Sequence, residues 1–473
     1  MCLPLKLIIK SKIMKKIKYI VLVFAIILGS CDYGDLNDNP NEPTNVPEIL
    51  LLNGTMLADI AINASHLQRI SGMWTSQYRG EQPSYESLYN YGFSGGESNS
   101  AWEFLYNGII NQNKIIRSAF NDDNLIQGIT KVVEANALGS AAAIWGDIPY
   151  SEAVGDIEDP IFDAQVNIYA SLQILLDDAI SNLNATDGYP LSQDIFFNGD
   201  ESKWIQVAYS LKARYYMITK EYGLALQAAQ NGVNSNSSSL KFYPPATTNG
   251  DSNLIYEFTS GARSGYLHSD DTYLEDLIAT GSFTSRNNSK TNEDARSKYY
   301  VIDTDGSEIG VGAPGAPMPL MTYEENLLTL AEAAARTSTF DEALGYLNEL
   351  RVFLASGNAF EKIDNSDVLL YDAYDEADFA DGGIENADGI NDTRALLREI
   401  VEERYVSGYG TFTPWNDARR LRKTDSDISV PFPLNTSSVS THPERFIISQ
   451  NELNSNSNAP TGLTIFDVTE VNQ

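Results

Sequence analysis

Residues 322–354 set the tightest limit on what this chain can become. Thr322-x-x-Glu325 and Thr339-x-x-Glu342 both have the form of a capping box, in which a threonine hydroxyl closes a helix start and a glutamate follows three residues later. Behind the first, Leu327, Leu330, Ala331 and Ala334 recur with the helical period; behind the second, Phe340, Ala343, Leu344, Leu347 and Leu350 do the same. The connection Thr337-Ser338-Thr339 is so short that two helices, about 323–336 and 340–354, must lie antiparallel and bury these faces against each other.

The same period recurs elsewhere. Trp102, Leu105, Tyr106, Ile109, Ile110 and Ile116 mark one face of 101–120. Ile168, Leu172, Leu175, Leu176, Ala179 and Leu183 mark 166–183, and Trp204, Val207, Ala208, Leu211 and Tyr215 mark 203–220. Helix 127–144 carries an alanine-rich face that permits close approach, and a helix at about 394–407 packs Leu397, Ile400, Val401 and Tyr405. Long polar stretches intervene at 80–100, 232–252, 280–318 and 356–392. Leu254–Phe258 and Arg445–Ile448 are short β-prone runs that predict small hairpins. The fold class is therefore mainly α: a tetratricopeptide-like αα-hairpin scaffold with long irregular insertions and a few small β-hairpins, although no clean 34-residue repeat is visible.

Composition removes several chemistries. Lys and Arg total 32 against 64 Asp and Glu, a net charge of −32, which repels phosphate backbones and excludes a nucleic-acid partner. The three histidines, His66, His268 and His442, are scattered, and both cysteines, Cys2 and Cys31, precede the helical body. The body thus lacks material for a histidine-rich metal site, a cysteine nucleophile or a disulfide framework. No cofactor motif emerges. Gly92-Phe93-Ser94-Gly95-Gly96 matches a nucleophile elbow by letter, but residues 97–100 read as polar loop rather than helix. Gly310-Val311-Gly312-Ala313-Pro314-Gly315 matches a dinucleotide fingerprint, but Pro314 and Pro317 prevent the helix it requires.

The first residues read as an address. Met14 is followed by Lys15, Lys16 and Lys18, then an apolar run Ile20–Leu28, then Leu28-Gly29-Ser30-Cys31. The run is short for a membrane span, which needs about 20 residues, and its flanks suit a secretory signal. The last four residues fit a lipobox, so the expectation is initiation at Met14 and cleavage before a lipidated Cys31. Residues 1–30 are then an upstream extension and signal peptide, 31–47 a lipidated flexible tether, and 48–473 a single domain. The tether is rich in Asp, Asn and Pro and poor in apolar residues.

Three further strings carry a resemblance. Trp145-Gly146-Asp147-Ile148-Pro149-Tyr150-Ser151-Glu152-Ala153 closely resembles the "GDIPYSEA" turn of SusD/RagB-type outer-membrane lipoproteins. Pro319-Leu320-Met321-Thr322-Tyr323-Glu324-Glu325 with Ala331-Glu332-Ala333, and Glu402-Glu403-Arg404-Tyr405 with Trp415-Asn416-Asp417-Ala418-Arg419-Arg420, are similar to two later strings of that family. The resemblance runs from the signal to about residue 458, with Ile447 where the family often has Tyr. It implies a non-catalytic protein at the cell surface, anchored in the outer membrane by lipid. Such proteins capture glycan, sometimes peptide, fragments and deliver them to a SusC-like TonB-dependent β-barrel transporter. Asp32, Asp35 and Asp38 resemble the export signal of such lipoproteins. Read from chemistry alone, the strings are structural: Glu402/Glu403 and Arg419/Arg420 would pair with each other across the last hairpin.

Oligosaccharide binding needs flat aromatic faces beside amides, carboxylates and guanidinium groups. The densest such stretch is 72–93, where Trp74, Tyr78, Tyr85, Tyr89 and Tyr91 interleave with Gln77, Arg79, Glu81, Gln82 and Asn90. Ile70, Trp74 and Tyr78 also fit a buried helical stripe, so Trp74 suits core and ligand alike; Tyr85 and Tyr89, past Pro83, should be more exposed. A second cluster comprises Arg263, Tyr266, His268, Asp270, Asp271, Tyr273, Phe283 and Arg286. The candidate ligand set is Trp74, Tyr78, Arg79, Tyr85, Tyr89, Tyr266 and Tyr273. Trp102 and Trp204 match the core period, and Trp145 and Trp415 read as packing residues. Residues 371–392 hold many acids and no base, a composition that suits Ca²⁺, but EF-hand spacing is missing, so no metal is expected. Two other classes compete: a glycoside hydrolase, for which no motif isolates a carboxylate pair, and a scaffold that binds only proteins.

Overall fold

The computed structural model describes residues 47–155, 157–245, 251–279, 281–282, 284–300, 310–360 and 368–473. The lipobox, Cys31 and nearly all of the tether lie outside them. From Glu48 to Gln473 the chain forms one compact unit, and it is built mainly of helices.

Helix pairs supply the frame. Asn124–Trp145 packs along Gln165–Asn184, Glu201–Ile218 along Tyr222–Ala229, and Tyr323–Thr337 along Phe340–Ala355. The threonine starts are as the sequence implies: Thr322 Oγ1 accepts from Glu325 N and Thr339 Oγ1 from Glu342 N. Asn124–Trp145 is buried on nearly every face, which its small residues make possible. A Cβ on Gly139 would lie 2.2 Å from the Tyr215 ring. Tyr215 cannot withdraw, because its hydroxyl donates to Ala135 O at 2.6 Å, while Tyr169 donates to Gly139 O at 3.2 Å. All four tryptophans assigned to packing are buried: Trp102, Trp145, Trp204 and Trp415. Trp102 and Trp145 meet with ring centroids 5.0 Å apart.

The Gly146–Ala153 turn is held by carboxylates. Gly146 leaves the long helix at φ +83°, a conformation suited to glycine. Asp147 then accepts from Gln165 N, and Asp163 accepts from the amides of Tyr150 and Ser151, each at 2.8 Å. The turn is thereby pinned to the start of the next helix.

Four expectations are corrected. Leu254–Phe258 is not a hairpin strand: Asn253 Oδ1 accepts from Ile255 N and Tyr256 N and so starts a helical turn, Tyr256–Thr259. Arg445–Ile448 makes no ladder either, since Phe446 N donates to Ile144 O and Ile447 O accepts from Ser98. Among the described residues the strands form three two-stranded antiparallel pairs: Arg79–Gly80 with Leu267–His268, Leu240–Phe242 with Met318–Met321, and Thr291–Asn292 with Leu370–Tyr371. Residues 97–100, read as loop, fall in a 3₁₀ turn and a short helix, Asn99–Glu103.

The last correction concerns charge. Glu402 and Glu403 do not pair with Arg419 and Arg420, and three of these four groups are buried rather than exposed. Glu403 binds Arg286 and Arg296, and Glu402 binds Arg286. Burial pushes the Glu403 carboxyl up, but Arg296 and Arg286 outweigh it and hold the group at about 2. Arg420 instead reaches Glu332 at 2.7 Å and Asp417 at 2.8 Å. Fully buried Glu332 receives Arg336, Arg404 and Arg420 together. Arg419 spends its guanidinium on the carbonyls of Ala143 and Glu444.

In the acidic stretch, Lys290 bridges Asp375 and Asp378, Arg398 takes Asp388, and Glu385 accepts from Asn288. The bases that answer these acids come from outside the stretch. Among the described residues no group of His, Cys, Asp and Glu side chains is placed to hold a metal ion.

Two measurements test this packing. Gly139→Ala improves helix propensity by about 1 kcal/mol yet should destabilise the protein by about 1–3 kcal/mol through overpacking, read from denaturant midpoints. Glu332→Gln should cost about 3–5 kcal/mol near neutrality, because it leaves two buried guanidinium groups and a third, partly buried one short of a carboxylate. Burial raises the Glu332 carboxyl, but its arginines hold it well below its ordinary 4.5. Its contribution is therefore full above that value and lost as pH falls below it, so wild type and variant should converge in acid.

Candidate functional site

Both aromatic and polar segments singled out in the sequence arrive at one place. The Arg79–Gly80 strand pairs with Leu267–His268, setting Arg79 opposite His268. Glu81 N donates to Tyr266 O at 3.0 Å, Arg79 meets Asp271 at 2.9 Å, and Tyr273 N donates to Ser76 Oγ at 2.9 Å. A ladder of two residues per strand thus stitches together segments nearly two hundred residues apart in the chain.

Three of the candidate rings face inward. Trp74, Tyr78 and Tyr85 are all buried, so none offers a face to a ligand. Trp74 donates to Leu88 O at 2.9 Å and packs on Trp415 and Phe446. Tyr78 packs on Tyr409 with centroids 4.9 Å apart. Tyr85 is buried because Pro83 starts a helix, Gln82–Tyr89, instead of an open loop. Three residues apart on that helix, Tyr85 and Leu88 turn inward together. The Tyr85 hydroxyl accepts from Arg69 Nε at 3.1 Å, and its ring touches Phe258 and Tyr266. Arg286, placed with the second cluster by sequence, faces inward to Glu293, Glu399, Glu402 and Glu403. Phe283 lies outside the described residues.

What remains at the surface is compact in chemistry. Arg79, Tyr89, Tyr266 and Tyr273 are half-buried, while Glu81, Gln82, Arg263 and Asp271 are exposed. Burial raises the Tyr89 phenol despite the nearby Arg79. Burial, with Glu402 nearby, pushes Tyr273 up to about 12. Both therefore present neutral phenols at physiological pH. Arg263 lies over Phe258 at 5.4 Å and over Tyr266 at 6.0 Å, and Arg69 lies over Phe258 at 3.9 Å. Phe258 and Arg69 are not legible as site residues in the sequence, since one falls in a β-prone run and the other beside a buried helical stripe. His268 is buried, 3.2 Å from Glu81 and 3.7 Å from Asp270.

The backbone here is strained. Of the six non-glycine residues with positive φ among the described residues, three border this seam, Ser76, Gln82 and Asp271, and a fourth, Tyr91, lies two residues past Tyr89. Each such conformation costs on the order of 1–3 kcal/mol and persists where surrounding contacts impose it, often at functional sites. Asn435 is one such restraint, since it donates to Met73 O and Tyr89 O through Nδ2 and to the Tyr91 hydroxyl through its amide. The resulting surface offers partly open tyrosine faces flanked by guanidinium, carboxylate and amide groups. It suits contacts to C–H surfaces and hydroxyls.

Comparison with known proteins agrees with this architecture. Residues 40–422 match a SusD-like family described as "Starch-binding associating with outer membrane". A SusD/RagB family protein from Bacteroides thetaiotaomicron shares the fold at TM-score 0.66 and 20% identity, over 88% of this chain and 95% of its own. A SusD homologue from Bacteroides fragilis aligns at TM-score 0.65 and 18% identity, over 90% and 100%. A chitin-binding SusD homologue from Flavobacterium johnsoniae aligns at TM-score 0.60 and 16% identity, over 86% and 94%. Among curated proteins none matches. With four fifths of its length matched and its helical frame reproduced in solved relatives, the chain belongs to the SusD-like family.

Proposed function

We propose that this protein is a non-catalytic, surface-exposed lipoprotein of the outer membrane. It captures oligosaccharides and passes them to a SusC-like TonB-dependent β-barrel transporter. The observation that carries this reading is the seam at Arg79–Gly80 and Leu267–His268, where half-open tyrosines and fixed polar groups converge on strained backbone. Membership of a family described as starch-binding, and the fold shared with a chitin-binding homologue, support glycans over other nutrients. Anchoring is assigned to lipid on Cys31. Among the described residues no helix is long and apolar enough to cross a membrane. Trp74, Tyr78 and Tyr85 now act as support beneath the binding surface, and Arg79, Tyr89, Tyr266 and Tyr273 as the contact set.

This division of labour is measurable. Tyr89→Ala and Tyr266→Ala should each weaken binding of the best neutral oligosaccharide by about tenfold or more, a loss of about 1.4 kcal/mol, with little change in melting temperature. Tyr85→Ala should instead cost about 3–5 kcal/mol of stability. Calorimetry against malto-, chito- and xylo-oligosaccharides reads the first, thermal melts the second. Unchanged affinity in both surface variants refutes the site, and release of new reducing ends during incubation refutes the non-catalytic reading. Cys31→Ser should abolish palmitate labelling and release the protein from membranes, and native co-purification should recover a β-barrel only from the lipidated form.

A further inference from the structure

A second concave surface shares no residue with the seam. Its wall is a seven-residue π-helix, Phe104–Ile110, set between Asn99–Glu103 and Asn111–Ala119. Such wide turns are rare and gather at functional sites. The facing wall is the short helix Gln450–Ser455, and the Gly146–Ala153 turn closes one end through Pro149 and Ala153. The space between them is about 440 Å³, within the range of small-ligand sites.

The lining is specific in kind. Tyr106 is the open aromatic of the floor, and buried Trp102 backs it, with ring centroids 5.0 Å apart. The Tyr106 hydroxyl donates to Pro149 O at 2.7 Å, so a ring that is still partly open is fixed and cannot swing away. Around this platform stand Glu103, Asn107, Asn451 and Glu452. The C-terminal wall is tied in place, because Asn99 Oδ1 accepts from Ser449 Oγ at 2.8 Å and from Asn451 N at 3.2 Å. Among the described residues no lysine, arginine or histidine lines the groove. An immobilised aromatic floor ringed by amides and carboxylates fits an uncharged polyhydroxyl ligand. The two glutamates repel uronic or sulfated sugars, and the absence of a cation removes any compensating attraction.

We propose that this groove is a second carbohydrate subsite, selective for neutral pyranosides, which rests on the glycan-capture reading above. It differs from the seam in charge, since the seam carries Arg79 and Arg263. One chain thus grips a neutral stretch of polymer at the groove while the seam takes another part of the same or a second chain.

The test is calorimetry on the full chain in a detergent without a sugar headgroup, using maltohexaose, chitohexaose, xylohexaose and a galacturonate hexamer. Wild type should bind one neutral hexaose at two sites. Asn107→Ala with Asn451→Ala, both exposed positions, should leave one site and an unchanged melt, and Tyr106→Phe, which keeps the ring but frees it, should weaken the same site several-fold. Tyr266→Ala should remove the other site. A single site lost in Tyr266→Ala and indifferent to the groove variants overturns this inference and leaves the proposed function standing. No binding of any hexaose overturns both. Loss of a co-purifying β-barrel in the groove variants, with sugar binding intact, overturns the inference by making the groove a protein contact.

Discussion

The helix Asp392–Ser407 depends on buried charge along two of its sides, and much of the molecule depends on that helix. On one side Arg404 meets Glu332 of Tyr323–Thr337 and Asp417 of Thr413–Leu421. On another, Glu399, Glu402 and Glu403 converge on Arg286, and Glu403 also takes Arg296. Ions in a low-dielectric interior are tolerated only when their partners are correctly placed. Each pair therefore specifies position more than it adds net stability. The acidic side carries more carboxylates than guanidinium groups. Burial pushes Glu399 well above its ordinary range although Arg286 opposes this, so the cluster shares its charge unevenly. Arg286 precedes, and Arg296 lies in, the short helix Asp294–Tyr300, and these contacts hold residues 284–300 against the helical frame.

The frame was largely legible, and for local reasons. Threonine caps, the period of Leu327 to Ala334, and a connection too short to permit anything but antiparallel packing are all encoded within a few residues. Failures came where a single side chain redirected the backbone. Asn253 turned an apolar run into a helical turn, and Pro83 began a helix where an open loop was read. Pairing of charges was illegible for a different reason. Glu332, Arg404 and Arg420 lie far apart in sequence, and nothing at the level of composition says which acid each arginine finds.

The candidate site shows the same division. Its ingredients stood out as two clusters of tyrosines with polar neighbours, yet their union required a ladder between Gly80 and Leu267 that no periodicity announces. Burial then sorted the rings. Tyr85 and Tyr89 are four residues apart on one helix and were indistinguishable by composition, but one anchors Arg69 and the other meets solvent. Groups able to support a ring, such as Phe258 beneath Arg263, became visible only once the chain was folded.

The seam itself has a consequence for how such proteins diversify. Its ladder is only two residues long on each side, and its side chains hang from short strands, turns and short helices that contribute little to the ionic hub. On the proposed function, substitutions there alter what is recognised without unsettling the buried arginines and glutamates that define the scaffold. A lineage meeting a new polymer could thus retune its diet at the margin of the molecule while inheriting the architecture unchanged.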